Sequence, residues 1–421
     1  MLRKALLCLL VGLVGGAIGA TPVAVAQDRR DRDDFSRADE APPTTGQAGP
    51  GLEHFDGIMH RLMDRFGVPG ASLAIAKDGR LVLARGYGWA DVEAEEPVLP
   101  RSLFELASVS KAITAVTVLK LVEEGKLGLD DRAFELLGHL RPPAGERMDP
   151  RIRDITIRML LNHSGGWDRS KSGDPSGYSL RVARRLHVRE PISAVQLTRF
   201  MLGQPLDFDP GTEERYSNFG YVVLGLVIER VTGQSYEEYV QEHTLRPMGI
   251  RRMRVDGLPP RYERGEVRRY SLGAGHQFPG GHPPMNDAAG GWLGSAPDLA
   301  RFLTALDGSR GKPFLSEKMT RTMLAPPPPP LKPRENGSYF GLGWDRVRRT
   351  EDGFGYAKNG GVHGISTWIE HLPGGVDWVL LVNTSVEHRA VPMMPTFEKE
   401  IPRAIAEVKE WPAIDLFRQP P

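Results

Sequence analysis

Two β-hairpin patterns stand near opposite ends of this 421-residue chain, and helical patterns dominate between them. Short apolar runs flank the turn Asp78-Gly79 at one end and the turn Pro373-Gly374-Gly375 at the other, as is typical of hairpins. The runs are residues 71–77 and 80–84, then 366–372 and 376–382. We therefore predict an α+β fold, with one antiparallel sheet built from N- and C-terminal segments, flanking helices and a largely helical inserted subdomain.

Three helices are predicted between the hairpins, because their apolar runs end at glycine or carry proline in the first turn. They are residues 109–122, stopped at Gly125; residues 219–231, stopped at Gly233; and residues 296–306, with Pro297 in the first turn. The first run is apolar on almost every side, which indicates a helix buried within the protein.

The first 26 residues have the three parts of a secretory signal peptide: a basic start, an apolar run over residues 5–18, and the small residues Ala24-Val25-Ala26. An uncleaved anchor helix is the alternative, although the run is short and glycine-rich for a span of about 20 residues. Residues 27–50 are charged and then rich in Pro, Thr, Gly and Ala, which predicts a flexible tether. Residues 51–417 contain no composition break, so we expect one domain in a secreted or periplasmic protein.

Basic and acidic side chains nearly balance, at 54 against 53, so no whole-molecule field attracts nucleic acid. The only cysteine, Cys8, lies within the predicted signal peptide. A mature chain without cysteine has no disulfide, no thiolate nucleophile and no Cys-ligated metal. The 11 histidines are scattered at spacings that fit no metal site. These exclusions direct attention to serine chemistry.

Ser108 and Lys111 are three residues apart at the start of the buried helix, so their side chains fall on nearly the same face. Burial disfavours an ammonium and lowers its pKa from about 10.4, which leaves an amine able to accept a serine proton. A serine needs such a base within hydrogen-bond reach to become a nucleophile. The spacing also arises by chance, and the alternative is a serine that caps a helix beside a solvated lysine.

Two further motifs carry suitable chemistry. Tyr216 and Asn218 precede the second helix, where a tyrosine can relay a proton and an asparagine can hold a substrate amide together with a lysine. Lys358-Asn359-Gly360-Gly361 precedes the C-terminal hairpin, where a lysine can bind a carboxylate and a glycine-rich edge can offer an N–H to an oxyanion. Alone, the first is more often a buried tyrosine with an N-cap asparagine, and the second means little.

Together and in this order, the three motifs resemble the serine β-lactamase and penicillin-binding-protein superfamily. The similar branch includes class C β-lactamases, D-alanyl-D-alanine carboxypeptidases, D-aminopeptidases and related esterases, whose pattern is S-x-x-K, Y-x-N and then K-T-G or a variant. Further stretches resemble this branch and extend the similarity over about residues 52 to 410: residues 67–74, 121–127, 157–165, 247–249 and 341–344.

The resemblance implies a catalytic role for three residues. Ser108 would attack a carbonyl carbon and form an acyl-enzyme, while Lys111 and Tyr216 would share the proton transfers. The oxyanion hole would comprise the backbone N–H groups of Ser108 and Gly361. No metal and no organic cofactor is implied.

The resemblance also implies a substrate-binding set, which is Asn218, Lys358, Asn359 and Gly360. Asn218 would orient the substrate and Lys111, and Lys358 would favour the phenolate form of Tyr216 and attract an anionic substrate. Asn359 stands where threonine is usual in class C β-lactamases, and the missing hydroxyl disfavours efficient β-lactam hydrolysis.

Two functions stay open at this point. The first is a secreted serine hydrolase that acts through an acyl-enzyme on a small molecule or peptide: an ester, a D-amino-acid peptide or a β-lactam, with a carboxylate-bearing substrate favoured. The second is a non-catalytic penicillin-binding-like protein that holds cell-wall peptide or a partner protein, its cleft closed by a segment such as residues 170–189. The proline run at residues 326–330 could recruit a proline-binding partner, or be a surface loop.

Overall fold

The computed structural model describes residues 42–271, 277–385 and 392–418, which fall within one compact unit. The predicted signal peptide and residues 27–41 of the predicted tether lie outside the described residues. The strands are β1 (Thr44–Ala48), β2 (Gly70–Lys77), β3 (Arg80–Asp91), β4 (Glu96–Pro97), β5 (Phe104–Glu105), β6 (Arg254–Val255), β7 (Arg269–Ser271), β8 (Gln277–Phe278), β9 (Trp292–Gly294), β10 (Arg346–Thr350), β11 (Gly353–Val362), β12 (Ile365–Leu372), β13 (Val376–Val382) and β14 (Thr384–Ser385).

The main sheet has the order β1-β3-β2-β13-β12-β11-β10, with β4 paired to β3. Its central pairing joins β2 of the N-terminal hairpin to β13 of the C-terminal hairpin, antiparallel, from Ala71 opposite Val382 to Lys77 opposite Val376. Two small sheets, β5-β9-β6 and β14-β7-β8, lie apart from it. The predicted α+β fold, with one sheet assembled from both ends of the chain, is confirmed.

The helices provide the layers on either side of the sheet and the inserted part. They are α1 (His54–Phe66), α2 (Ser110–Glu123), α3 (Ala133–Leu136), α4 (Ile157–Leu161), α5 (Ser179–Leu186), α6 (Ala194–Met201), α7 (Asn218–Thr232), α8 (Tyr236–Val240), α9 (Asp287–Gly290), α10 (Ala296–Asp307), α11 (Glu317–Met323) and α12 (Met393–Ala406). Within the described ranges, every helix is too short or too polar to cross a lipid bilayer.

The three predicted helices are confirmed as α2, α7 and α10, each within two residues of its expected bounds. Gly233 ends α7 because it adopts φ 73°, a left-handed conformation that L side chains avoid. α10 begins where the Ser295 side chain accepts a hydrogen bond from the Asp298 N–H. The proline run at residues 326–330 lies in a largely exposed stretch without helix or strand, as expected of a surface loop.

Both faces of the sheet are covered, which follows from the apolar residues at successive positions of β13. Trp378 and Leu380 pack with Phe55 of α1 and Phe397 of α12 in one core. Val379 points to the opposite face and joins the larger core that includes α2, α7 and α10. The helical insertion and the sheet therefore share one core, and the junction between them holds the site described below.

The predicted tether ends too late in the sequence. The tether predicted over residues 27–50 includes Thr44–Ala48, but this segment is strand β1, which pairs with β3 along the sheet edge. Its stabilisation comes from backbone pairing and from the Arg85 guanidinium, which donates to the Gly46 carbonyl at 2.7 Å. The segment reads Thr-Thr-Gly-Gln-Ala, and its one apolar side chain is that of Ala48. An analysis of apolar periodicity therefore finds no strand there.

Candidate active site

Ser108 lies in a 3-10 turn, Ala107–Val109, that leads directly into α2. Ala107 has φ 45°, a left-handed conformation that costs an alanine about 1–2 kcal/mol and redirects the chain just before the serine. The turn is fixed to the sheet because the Thr367 hydroxyl of β12 donates to the Leu106 carbonyl at 2.9 Å. Ser108 itself is partly exposed, so its hydroxyl is accessible at the junction of helix and sheet.

Lys111 is fully buried one turn after Ser108. Its Nζ lies 3.1 Å from Ser108 Oγ and donates to the Ala289 carbonyl at 2.6 Å. The Tyr216 ring centroid lies 5.1 Å from the same nitrogen. The lysine is therefore held against the serine by the helix spacing on one side and by a backbone carbonyl on the other.

The pKa of Lys111 lies well below its ordinary value. Burial is the main cause, because it disfavours the ammonium form, and the positive charge of Lys358 acts in the same direction. The sequence-based prediction of a neutral amine beside Ser108 agrees with this environment. A neutral Nζ at 3.1 Å can accept the serine proton.

Tyr216 completes the group around the hydroxyl, because its OH donates to Ser108 Oγ at 2.7 Å. Burial raises the pKa of Tyr216, and the carboxylate of Asp345 raises it further. The phenolate that the resemblance implied is therefore not favoured here. Lys358 Nζ lies 5.1 Å from the Tyr216 ring centroid but is paired with Asp345, and the direction of the pKa shift favours the phenol beside Ser108.

His163 holds Tyr216 in position. The N–H groups of the flanking residues Arg215 and Ser217 donate to the His163 carbonyl at 2.9 Å and to its Nδ1 at 3.2 Å. The imidazole packs on the tyrosine with ring centroids 4.5 Å apart. Burial lowers the pKa of His163 well below its ordinary value, and the charge of Lys358 acts in the same direction, so the ring stays neutral.

Lys358 lies on β11, is fully buried, and forms an ion pair with Asp345 at 2.5 Å from Nζ to Oδ1. Burial lowers the pKa of Lys358 while Asp345 opposes that effect. Asp345 also accepts from the Asn359 N–H at 3.4 Å, whereas the Asn359 residue is exposed. The predicted anion-binding charge of Lys358 is thus largely matched within the protein itself.

Gly360 and Gly361 follow Lys358 on the strand nearest to Ser108. A Cβ added to Gly360 would lie 2.4 Å from the Leu106 carbonyl oxygen and 2.9 Å from the Ser108 nitrogen, so only glycine allows this approach. A Cβ added to Gly361 would meet its nearest atom, the Ile365 carbonyl oxygen, at 4.0 Å. The strand therefore runs beside the Ser108 N–H, as an oxyanion hole requires.

Asn218 makes no hydrogen bond to Lys111, the residue that the resemblance implied it would orient. Its amide donates to the Asp174 carboxylate at 2.7 Å, and the helix cap at this point is the neighbouring Ser217. The segment that supplies Asp174 also places the Arg169 guanidinium 4.9 Å from the centroid of the Tyr216 ring. This segment, which precedes α5, reaches the site because it follows directly from His163.

The family model that describes beta-lactamases matches residues 55–401, most of the chain. The chain belongs to the beta-lactamase family. This beta-lactamase family member is 33% identical to Protein flp of Staphylococcus aureus (strain MW2) over 204 residues, which cover 47% of this chain and 37% of that protein. The match therefore spans well under half of that curated relative.

Two solved structures resemble this beta-lactamase family member over most of its length. The octameric penicillin-binding protein homologue from Pyrococcus abyssi has a TM-score of 0.67 and 25% identity, covering 85% of this chain and 78% of that one. A D-stereospecific amidohydrolase from Streptomyces sp. has a TM-score of 0.59 and 25% identity, covering 76% of this chain and 91% of that one. The helix and sheet arrangement is shared with both.

The fold of this beta-lactamase family member brings Ser108, Lys111, Tyr216, Lys358 and Gly360 close together. Four neighbours received no assigned role from the sequence: His163, Arg169, Asp174 and Asp345. His163 lies in one of the stretches that carried the resemblance, and Asp345 directly follows another, Gly341-Leu-Gly-Trp344. For these two residues, a position within or directly after a matching stretch is the signal that the sequence offered.

Proposed function

We propose that this protein is a serine hydrolase that forms an acyl-enzyme on Ser108. The observation that carries the proposal is the convergence of Lys111 Nζ, at 3.1 Å, and the Tyr216 hydroxyl, at 2.7 Å, on one serine oxygen. Both partners are buried, and the directions of their pKa shifts favour the uncharged amine and the uncharged phenol.

The reaction follows from these positions. The neutral Lys111 amine takes the Ser108 proton as Oγ attacks the substrate carbonyl carbon, and the resulting oxyanion accepts from the N–H groups of Ser108 and Gly361. When the tetrahedral intermediate collapses, the Tyr216 phenol donates a proton to the leaving group and the lysinium returns its proton to the phenolate. Water then attacks the acyl-enzyme by the reverse set of proton transfers, releasing the acid and regenerating the serine. No metal or cofactor is needed for these steps.

The substrate class is a small molecule or peptide with an acyl bond: an ester, a D-amino-acid peptide or amide, or a β-lactam. The similarity to a D-stereospecific amidohydrolase supports the D-amino-acid class. Asn359 in place of threonine disfavours β-lactams. Buried Lys358 is paired with Asp345 at 2.5 Å, whereas the exposed Arg169 guanidinium, which lies over the Tyr216 ring, has only a long 3.9 Å contact with Asp174. We therefore assign recognition of a substrate carboxylate to Arg169.

The predicted signal peptide supports a secreted or periplasmic location, where esters, cell-wall peptides and β-lactams are encountered. The balanced charge argues against nucleic acid as a partner. Chemical labelling of exported protein in intact cells by a reagent that does not cross the cytoplasmic membrane would test this location.

A non-catalytic binding protein is the second candidate, and one observation favours it. The Asn218 amide donates to Asp174, and the Arg169 guanidinium lies over the Tyr216 ring. A segment of the chain therefore already contacts the groups that would bind the substrate. The 3.1 Å separation of Lys111 from Ser108 favours catalysis instead.

Covalent labelling separates the two candidates. A fluorophosphonate or penicillin probe should label the wild-type protein and leave Ser108→Ala unlabelled. Parallel turnover of a short-chain p-nitrophenyl ester, a D-Ala-D-Ala peptide and a chromogenic cephalosporin then identifies the substrate class. A folded wild-type protein that takes up none of the probes and turns over none of these substrates would overturn the catalytic proposal, and measured binding of the D-Ala-D-Ala peptide by that protein would support the binding role.

A further inference from the structure

A cavity lies away from the Ser108 site, between the β1 and β3 edge of the sheet and the start of α10. Its volume is about 580 Å³, within the range of roughly 300–1,000 Å³ that small-molecule sites occupy. Part of its wall is apolar, formed by Leu81, Leu99, Pro297 and Leu416. None of its lining residues belongs to the Ser108 site.

Four arginines line the same cavity: Arg101, Arg251, Arg252 and Arg301. Nearby arginines have acidic partners, as Arg254 pairs with Glu263 and Arg310 with Asp415. Within the described ranges, none of the four lining arginines takes part in an ion pair. Two of them donate to neutral backbone carbonyls, Arg252 to Arg101 at 3.0 Å and Arg301 to Phe417 at 3.4 Å. The lining therefore carries four guanidinium groups against a single carboxylate, that of Asp298.

That one carboxylate offsets only part of the charge, although Arg252 and Arg301 both act to lower its pKa. Asp298 accepts from the Ser295 hydroxyl at 2.8 Å within the cap of α10, and burial raises its pKa. Arg301 is itself half-buried, its guanidinium 4.3 Å from the Phe417 ring centroid. Burial and the charge of Arg310 lower the pKa of Arg301, which an anion in the cavity would reverse.

We propose that this cavity binds a single amphiphilic molecule whose anionic oxyacid head, a carboxylate or a phosphate, meets the arginines while its apolar tail lies against the leucine and proline wall. Guanidinium groups match both kinds of head because their planar N–H forks pair with two oxygens at once. The apolar wall requires a tail, since a bare anion would leave that surface uncovered. The proposal concerns a different site from the acyl-transfer reaction and does not depend on it.

Calorimetric titration of the full chain tests the proposal with decanoate and decyl phosphate, each below its micelle concentration. We expect one molecule bound per chain, with acetate and decanol at least about tenfold weaker because each lacks one half of the match. The two heads tell whether a carboxylate or a phosphate is preferred. Binding of decanol as tight as that of decanoate would overturn the assignment of the arginines.

The variant R251E/R252E reverses two exposed charges at the cavity, so its affinity for decanoate should fall by about tenfold or more. R348E/R349E, an adjacent pair of exposed arginines on β10, is the matched control and should bind decanoate as the wild type does. R101Q/R252Q keeps side-chain bulk and provides a second reading if charge reversal disturbs the fold. If folded R251E/R252E binds decanoate as tightly as the wild type does, the proposal is overturned. That result is expected if the amphiphile binds at the Ser108 site instead.

Discussion

Lys358 and Asp345 form an ion pair at 2.5 Å beside the Tyr216 ring, whose centroid lies 5.1 Å from Lys358 Nζ. The pair joins the sheet to the chain just before β10 and sets the charge behind the reacting serine. Both members of the pair act on Lys111 electrostatically: Lys358 lowers the pKa of Lys111 and Asp345 raises it. The pair therefore sets part of the basicity of the proposed base.

Lys358→Met should move the acidic limb of the pH profile of kcat/KM to higher pH. Removing a nearby cation makes protonation of Lys111 easier, so the pKa of Lys111 rises and the free amine forms only at higher pH. A neutral ester should be used, so that loss of substrate attraction does not enter. Lys332→Met, an exposed lysine outside this group, is the control. A limb that stays in place or moves to lower pH would contradict the proposed coupling.

Tyr216→Phe should reduce kcat/KM by about 10²–10⁴-fold, the usual contribution of a positioned acid or base, because the hydroxyl that donates to Ser108 is lost. Tyr221→Phe is the matched control. Its hydroxyl donates to the Leu161 carbonyl at 2.8 Å, so its loss should lower stability by about 1–3 kcal/mol with little effect on rate. Steady-state kinetics and urea unfolding separate the two outcomes, and equal activity losses in both variants would argue against a proton-transfer role for Tyr216.

Gly360→Ala should reduce kcat by about 10²-fold, because the new Cβ would lie 2.4 Å from the Leu106 carbonyl oxygen and force β11 away from Ser108. Gly361→Ala retains the proposed oxyanion N–H and places its Cβ 4.0 Å from the nearest atom, so activity should stay close to the wild-type value. Burst kinetics with a p-nitrophenyl ester measure acylation in each protein. The expectation fails if Gly361→Ala is as impaired as Gly360→Ala.

Arg169→Ala should raise KM for a carboxylate-bearing substrate by about tenfold and leave KM for its methyl ester almost unchanged, since only the charged end would lose its partner. Arg181→Ala, on the neighbouring helix, is the control, because the Arg181 guanidinium also lies over a tyrosine ring, 5.0 Å from the Tyr178 centroid. An equal change in KM for both substrates would instead indicate that Arg169 only holds its own segment in place.

Arg269→Met should destabilise the fold by about 3–5 kcal/mol at neutral pH, because this buried arginine meets three buried carboxylates. Its nitrogens lie 2.5 Å from Glu105, 2.6 Å from Asp256 and 2.7 Å from Glu266. Burial already raises the pKa of Glu266 to about 7, so losing the arginine favours protonation and the deficit should shrink as the pH falls. Urea unfolding of the variant and the wild type at two pH values measures this difference in the free energy of unfolding. Arg254→Met, whose pair with Glu263 is partly exposed, should change stability by at most about 1 kcal/mol.

The residues that sequence reasoning located are those fixed by local geometry or by the resemblance. Ser108 and Lys111 meet because three residues along a helix place two side chains on one face. Tyr216 approaches Ser108 across a separation of 108 residues, and only the order of motifs suggested the contact. Asp345 and Asp174 could not be predicted, since their partners depend on how distant segments pack. The same limit hid strand β1, whose pairing is carried by backbone groups.

The antiparallel pairing of β2 with β13 also has a consequence for how the chain acquires its structure. The two strands are about 300 residues apart, so β2 has no neighbour on that side until nearly the whole polypeptide has been made. Contacts at such separation slow folding, because a long loop must close before they form. A nascent or truncated chain that ends before β11 would contain Ser108 and Lys111 yet lack the strand that lies beside them, so the assembled site should appear only at a late step of folding.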